Sequence, residues 1–165
     1  MIKDRLNVID GAASGVGKSL FDSMKAKGHI KFELFDVNGN LKLVKEIDNT
    51  VSAAGKNMIA EQLLASPTIA KPGWMELGTG TPGETKLGAY ITGSRTAFTS
   101  KTRVDNVVTM VTTFAAGVGT GAITEAGVFN VETEDTADMI LYTDFGVITK
   151  AATDSLTITW TLTIN

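Results

Sequence analysis

The sequence predicts a mainly β protein: an antiparallel, jelly-roll-like β-sandwich with one or two short N-terminal helices. Three observations carry this prediction. In the closing run Leu156–Asn165, the residues Leu156, Ile158, Trp160, Leu162 and Ile164 alternate with Thr157, Thr159, Thr161 and Thr163. Only a strand puts such a period of two on two opposite faces. Of 23 Thr, 21 lie at or after Thr79, and a β-branched Thr suits the half-wet outer face of a strand. Beyond Trp74, apolar runs recur roughly every ten to fifteen residues between Gly-rich turns, the spacing of sandwich strands.

The chain divides into an arm, residues 1–28, and a sandwich domain, residues 29–165. In the arm, the Gly-rich stretch Gly11–Gly17 precedes a short helix over Lys18–Gly28. Leu20, Phe21 and Met24 share one face of that helix, and Gly28 ends it. Residues 30–48 read as a hairpin. Ile30, Phe32 and Leu34 alternate on the way out, Asn38-Gly39 makes a tight turn at positive φ, and Leu41 and Leu43 alternate on the way back. Ser52 or Thr50 caps a helix at about 53–65 carrying Met58, Ile59, Gln62 and Leu63, which Ser66-Pro67 terminates. Trp74–Leu77 is a short strand stopped by Gly78, and residues 94–104 form a polar edge strand. Strands follow at Val107–Ala115, Ala122–Asn130 and Met139–Phe145, the last bent at Gly146 and resumed by Val147 and Ile148. Gly117–Gly121 and Asp154-Ser155 are turns.

Composition bounds the function. With 165 residues the chain forms one domain and buries roughly 68–70% of its unfolded surface. A net charge of −3 argues against direct nucleic-acid binding through phosphate neutralisation. The absence of Cys removes disulfides, thiolate metal sites and thiol catalysis. No apolar run reaches the ~18–20 residues of a bilayer span, so no membrane partner is expected. Met1–Asn7 lacks the apolar core of a secretory leader.

One motif points elsewhere. Gly11, Gly15 and Gly17 follow G-x-x-x-G-x-G, similar to the cofactor loop of short-chain dehydrogenases, and Asp36 lies at the distance of a ribose-binding carboxylate. Gly17-Lys18-Ser19 resembles the end of a P-loop, yet Ala12 stands where that motif requires Gly. The rest of the dehydrogenase pattern is missing. Its Tyr-x-x-x-Lys pair has no counterpart, since Tyr90 is followed at that spacing by Ser94 and Tyr142 by Gly146. Beyond Pro67 no amphipathic helix supplies the crossovers of a parallel sheet. An NAD(P)-binding oxidoreductase is therefore a remote alternative, and no cofactor is expected.

Other chemistry-bearing residues read structurally. His29 is the only His, which precludes a Ser-His-Asp choice and makes a poor metal site. Glu132, Glu134, Asp135 and Asp138 lack the regular oxygen spacing and turn Gly of a calcium loop and read as a solvated hairpin tip. Glu125, amid apolar neighbours, is expected to accept backbone or hydroxyl hydrogen bonds rather than to do acid chemistry. Trp74 and Trp160 are core positions. Arg95, Lys101 and Arg103 make a basic strand suited to contacts between subunits, or to blunting edge-to-edge aggregation.

Several segments together resemble tailed-bacteriophage virion structural proteins. They are Asn49–Leu64 (NTVSAAGKNMIAEQLL), Met75–Thr81 (MELGTGT), Gly119–Asn130 (GTGAITEAGVFN), Phe145–Lys150 (FGVITK) and Leu156–Ile164 (LTITWTLTI). The resemblance spans about residues 33–165. It implies a non-enzymatic capsid decoration or cement protein on the capsid surface, assembled in the host cytoplasm, that bridges capsid subunits. A tail, fibre or baseplate component is the alternative. The implied partners are the major capsid protein and further copies of the chain, with a trimer suited to a threefold junction. The arm is expected to make the capsid contact through Lys3, Arg5, Leu6, Val8, Ile9, Leu20, Phe21 and Met24. Arg95, Lys101 and Arg103 are the candidates for contacts between subunits.

Overall fold

The structure is a computed structural model that describes residues 25–165. Nine strands and one helix follow in the order β1 (Ala26–Phe35), β2 (Leu41–Val51), α1 (Ala53–Glu61), β3 (Trp74–Gly78), β4 (Thr96–Ala97), β5 (Ser100–Val104), β6 (Val107–Phe114), β7 (Gly121–Phe129), β8 (Met139–Lys150) and β9 (Ser155–Ile164). The fold is mainly β, and every strand pairing among the described residues is antiparallel. The strands form one curled sheet in the order β4-β3-β7-β8-β2-β1-β9-β6-β5. Only Thr50↔Tyr142 and Val51↔Leu141 join β2 to β8, and this short ladder divides the curled sheet into two wings. Residues of both wings share one core.

That core is what the alternation in β1 and β9 predicts. Ile30, Phe32, Leu34, Leu156, Ile158, Trp160 and Leu162 are buried from one wing, and Met75, Leu77, Ile123, Val128, Ile140, Leu141 and Ile148 from the other. Phe32 and Phe145 meet across it with ring centroids 4.5 Å apart, a favourable tilted aromatic contact.

The two ends of the strand order are consecutive in the chain. β4 pairs with β3 through Trp74↔Ala97 and Met75↔Thr96, and the Phe98 amide donates to the Gly73 carbonyl at 2.9 Å. One residue later the Thr99 amide donates to the Val111 carbonyl at 2.7 Å, on β6, and β5 continues along β6 from Ser100↔Val111 to Val104↔Val107. Residues 96–104 thus carry the chain from one sheet edge to the other and form a seam. The expected single polar strand over residues 94–104 is therefore two strands divided between two edges. β5 is paired along one side only.

Several predicted elements differ in detail. The hairpin β1–β2 forms, but its loop holds three residues rather than two. The Asp36 amide donates to the Asn40 carbonyl at 2.9 Å and the Gly39 amide to the Asp36 carbonyl at 3.0 Å, and only Gly39 (φ 81°) takes positive φ. This is a type I turn closed by a left-handed Gly. Ser52 caps α1, accepting from the Gly55 amide at 2.9 Å. The helix ends at Glu61 rather than near 65. The Glu61 carboxylate folds the chain back by accepting from Thr68 Oγ1 and the Ile69 amide, and Leu63 and Leu64 find no core to cover. β8 continues through Gly146 as one strand, but its register with β7 shifts there, from Ile123↔Ile148 to Glu125↔Asp144, so an irregularity in the pairing falls where the bend is expected. The helix expected over Lys18–Gly28 falls largely outside the described residues. Its predicted last residues, Ala26–Gly28, instead open β1, each paired with β9. Sheet pairing overrides the Gly stop signal there, and the domain's first strand starts three residues before position 29.

Candidate functional site

Three buried or clustered sets of polar residues present themselves, and two of them serve the fold. Glu125 on β7 is fully buried, and its carboxylate reaches out to the loop after β3. Oε1 accepts from the Gly80 amide at 2.9 Å and the Ala89 amide at 2.7 Å, and Oε2 accepts from the Gly88 amide at 2.8 Å. The expectation that Glu125 serves as a hydrogen-bond acceptor holds. Glycine is needed around it: a Cβ on Gly78 would stand 2.4 Å from Glu125 Oε1, and one on Gly88 would stand 2.2 Å from the Thr81 carbonyl oxygen.

Arg95 departs from its expected place on an exposed basic strand. Its side chain is only 2% exposed and pairs with Glu76 at 3.0 Å. The guanidinium lies over the Phe129 ring at 3.6 Å and donates through Nη1 to the Val131 carbonyl at 2.8 Å. Burial outweighs the neighbouring guanidinium and pushes the Glu76 carboxyl above the usual range. Glu76 Oε1 and Arg95 Nε lack hydrogen-bond partners among the described residues. The Arg95 side chain is thus engaged within its own chain rather than presented on the surface. Arg95 also draws in the acidic loop, because its amide donates to Glu134 Oε1 at 3.1 Å, while Lys86 pairs with Asp135 at 2.8 Å. The loop read as a solvated tip therefore has two of its carboxylates engaged.

The third set is a groove of about 670 Å³ between α1 and the one-sided edge of the sheet. The seam closes at Phe98–Thr99 but does not continue along β5, and the opening lies where a strand partner to β5 is missing. Met58 and Ile59 of α1, Met110 of β6, and Leu162 and Ile164 of β9 give it an apolar lining, with Lys71, Lys101 and Arg103 beside them. A smaller depression of about 500 Å³ shares Ile59 and Ile164 and adds Lys25, Lys27 and Lys56. The helix is held against β8 by Ser52, whose hydroxyl lies 2.9 Å from the Met139 carbonyl oxygen and 3.0 Å from that of Ile140. Gly55 permits this approach, since a Cβ there would stand 2.2 Å from the Ile140 carbonyl oxygen.

The charges around this groove are segregated. Lys71, Lys101 and Arg103 line the groove, Lys25, Lys27 and Lys56 line the depression beside it, and no carboxylate side chain lines either. Among the described residues, none of these six cations pairs with an acidic group. The other described cations are all engaged. Lys31, Lys42, Lys86 and Arg95 form ion pairs, and Lys45 and Lys150 donate to the Gly146 and Ala115 carbonyls. Lys101 donates to the Pro72 carbonyl at 2.7 Å and Arg103 to that of Asp105, which keeps both side chains at the rim.

Two of the three predicted inter-subunit residues, Lys101 and Arg103, therefore share one surface, and Arg95 does not. The capsid-contact candidates Lys3, Arg5, Leu6, Val8, Ile9, Leu20, Phe21 and Met24 lie outside the described residues, as does the Gly11–Gly17 stretch. Lys25, Lys27, Lys56 and Lys71 were not singled out by sequence because their spacing is irregular and only the fold gathers them.

The dinucleotide pattern loses its downstream residue. Asp36 Oδ1 accepts from the amides of Asn38 and Asn40, both at 2.8 Å, and Oδ2 from Asn40 Nδ2 at 2.9 Å, so that carboxylate shapes the hairpin turn. His29 lies on the surface of β1, 3.2 Å from Asp48 and 3.6 Å from Glu46. Among the described residues no group of three His, Asp or Glu is placed to hold a metal ion, and no helix is long and apolar enough to cross a membrane. Comparison with family models, with curated proteins and with solved structures returns no match.

Proposed function

We propose that this chain is a non-enzymatic phage virion structural protein, a capsid decoration or cement protein that bridges capsid subunits on the outer surface of the head. The observation that carries the reading is the groove at the seam, with an apolar floor and, counted with the depression beside it, six cations that lack acidic partners among the described residues. Such a surface suits adhesion. Apolar area contributes about 25 cal/mol per Å² buried, and the cations orient the partner. Repetition over a lattice multiplies modest contacts into durable attachment. The buried polar groups support the same reading, because Glu125 and Arg95 are engaged in holding loops and not in a cleft open to substrate. A jelly-roll-like sandwich belongs to the proposal, the two wings acting as its layers. The major capsid protein and further copies of the chain, in threes, are the proposed partners.

The test is the location of the protein in intact particles. Gold-labelled antibody against the chain should decorate the head in many copies. Decoration of the tail in few copies would favour a tail, fibre or baseplate component, and absence from particles would refute a virion role. Titration with reduced dinucleotide tests the remote oxidoreductase reading. A bound cofactor at a hundredfold excess over Kd would stabilise the fold by about 2.7 kcal/mol, and no change in thermal stability is expected.

A further inference from the structure

We infer that the groove accepts an extended, acidic segment of a partner protein, laid along the unpaired side of β5 with its carboxylates toward the rim and its aliphatic side chains on the floor. The inference rests on the groove's being the adhesive surface proposed above, and it specifies the chemistry of the occupant. Two features select that occupant. β5 is hydrogen-bonded to β6 alone, and a strand with one open side is a template for strand addition. The charge partition then selects the sign of the guest. Six of the 12 cations among residues 25–165 line the groove or the depression beside it, three each, without an acidic partner among the described residues, in a chain whose net charge is −3. A second β5 brought to the same edge would bring Lys101 and Arg103 against their own kind, which disfavours self-pairing. Carboxylates are attracted there. The floor of Met58, Ile59, Met110, Leu162 and Ile164 is aliphatic and thioether in character. It offers no aromatic platform for the stacked bases of a single-stranded nucleic acid, and it matches Val, Ile or Leu alternating with Glu or Asp.

The probe is a short, capped, fluorescent peptide alternating Glu with Val, titrated into the full chain and read by anisotropy. Saturable binding that weakens with salt is expected, since rim charges are screened. A double charge reversal, Lys101→Glu with Arg103→Glu, should weaken it about tenfold or more, whereas Lys86→Gln, in the loop between β3 and β4 and outside the lining of the groove and its neighbouring depression, should leave it unchanged. Circular dichroism confirms that each variant is folded. Backbone N-methylation of the peptide should abolish binding, because strand addition uses main-chain hydrogen bonds. Equal binding by a Lys–Val peptide, unchanged binding by the double reversal, or stronger binding of duplex DNA would each overturn the inference. So would a self-associated free protein that the double reversal dissociates, or an amine-to-carboxylate crosslink from Lys71 or Lys101 to Asp4, Asp10 or Asp22 of the same chain. No binding at all would also overturn it and would leave the virion reading standing, because particle labelling tests that reading separately.

Discussion

Removing the Glu125 carboxylate should release the loop between β3 and β4 while leaving the sheet itself folded. One buried side chain accepts three backbone N–H groups, from Gly80, Gly88 and Ala89, at 2.7–2.9 Å. Hydrogen bonds to a charged group contribute about 1.5–3 kcal/mol each, which sets an upper range of roughly 4.5–9 kcal/mol for three. The loop side of the site is partly exposed, and water can replace part of what is lost. Glu125→Ala should therefore cost about 3–5 kcal/mol. Glu125→Gln separates geometry from charge. Its amide oxygen can keep the two bonds now made by Oε1, but its NH2 group would face the Gly88 amide, donor against donor. One bond lost predicts about 1.5–3 kcal/mol. Urea unfolding followed by far-UV circular dichroism reads the global value. Amide hydrogen exchange at Gly80, Gly88 and Ala89 reads the local one, since loops open independently at low free energy. Exchange at these three positions should accelerate more than exchange in β1 and β9. A Glu125→Ala protein within 1 kcal/mol of the parent, on the scale of a surface change, would refute the view that this carboxylate organises the loop.

Other outcomes follow from the same structure. Truncating one partner of the buried pair by Arg95→Ala should cost about 3–5 kcal/mol, whereas the double replacement Arg95→Met with Glu76→Leu should cost much less or nothing, as measured by a double-mutant cycle in urea. The pair would be a net stabiliser, against this reasoning, if the double variant were as damaged as the single. Gly55→Ala should lift α1 from β8, because its Cβ would stand 2.2 Å from the Ile140 carbonyl oxygen, at about 1–3 kcal/mol of overpacking, read by thermal denaturation. Asp154 accepts from Lys42 and from the Ala151 amide, and the Lys42 contact chiefly holds its carboxyl below the ordinary value. A lowered carboxyl stabilises the fold above the unfolded value of about 3.9 and loses that contribution as pH falls through the folded one. The stability gap between parent and Asp154→Asn should thus be full at neutral pH and narrow below about pH 3.9. A gap independent of pH would contradict the assignment.

How much of this was legible in the sequence depends on the range of the interaction. β9 was readable because alternation is local and each apolar residue from Leu156 to Leu162 is buried. The hairpin at Asn38-Gly39 was readable for the same reason, although the choice between two and three loop residues rests on the Asp36 side chain bonding to Asn38 and Asn40. Glu125 announced its role by being a lone charge in an apolar run. Arg95 gave no such sign. It stands in a polar stretch beside Lys101 and Arg103, and only the pairing of β3 with β4 and β7 brings it to Glu76 and Phe129. The groove was hidden more fully, because its cations and those of the depression beside it come from positions 25 to 103 and meet only once the sheet has curled.

The handover at Phe98–Thr99 also gives the molecule two built-in reporters of different events. Trp74 sits opposite Ala97 at the seam, half-buried, while Trp160 is wholly enclosed in β9, between β1 and β6. Because a few hydrogen bonds hold the seam and whole ladders hold β9, the first indole should sense water when the seam opens and the second only when the molecule melts. Emission from single-tryptophan versions would then resolve breathing from denaturation in one polypeptide, without any added dye.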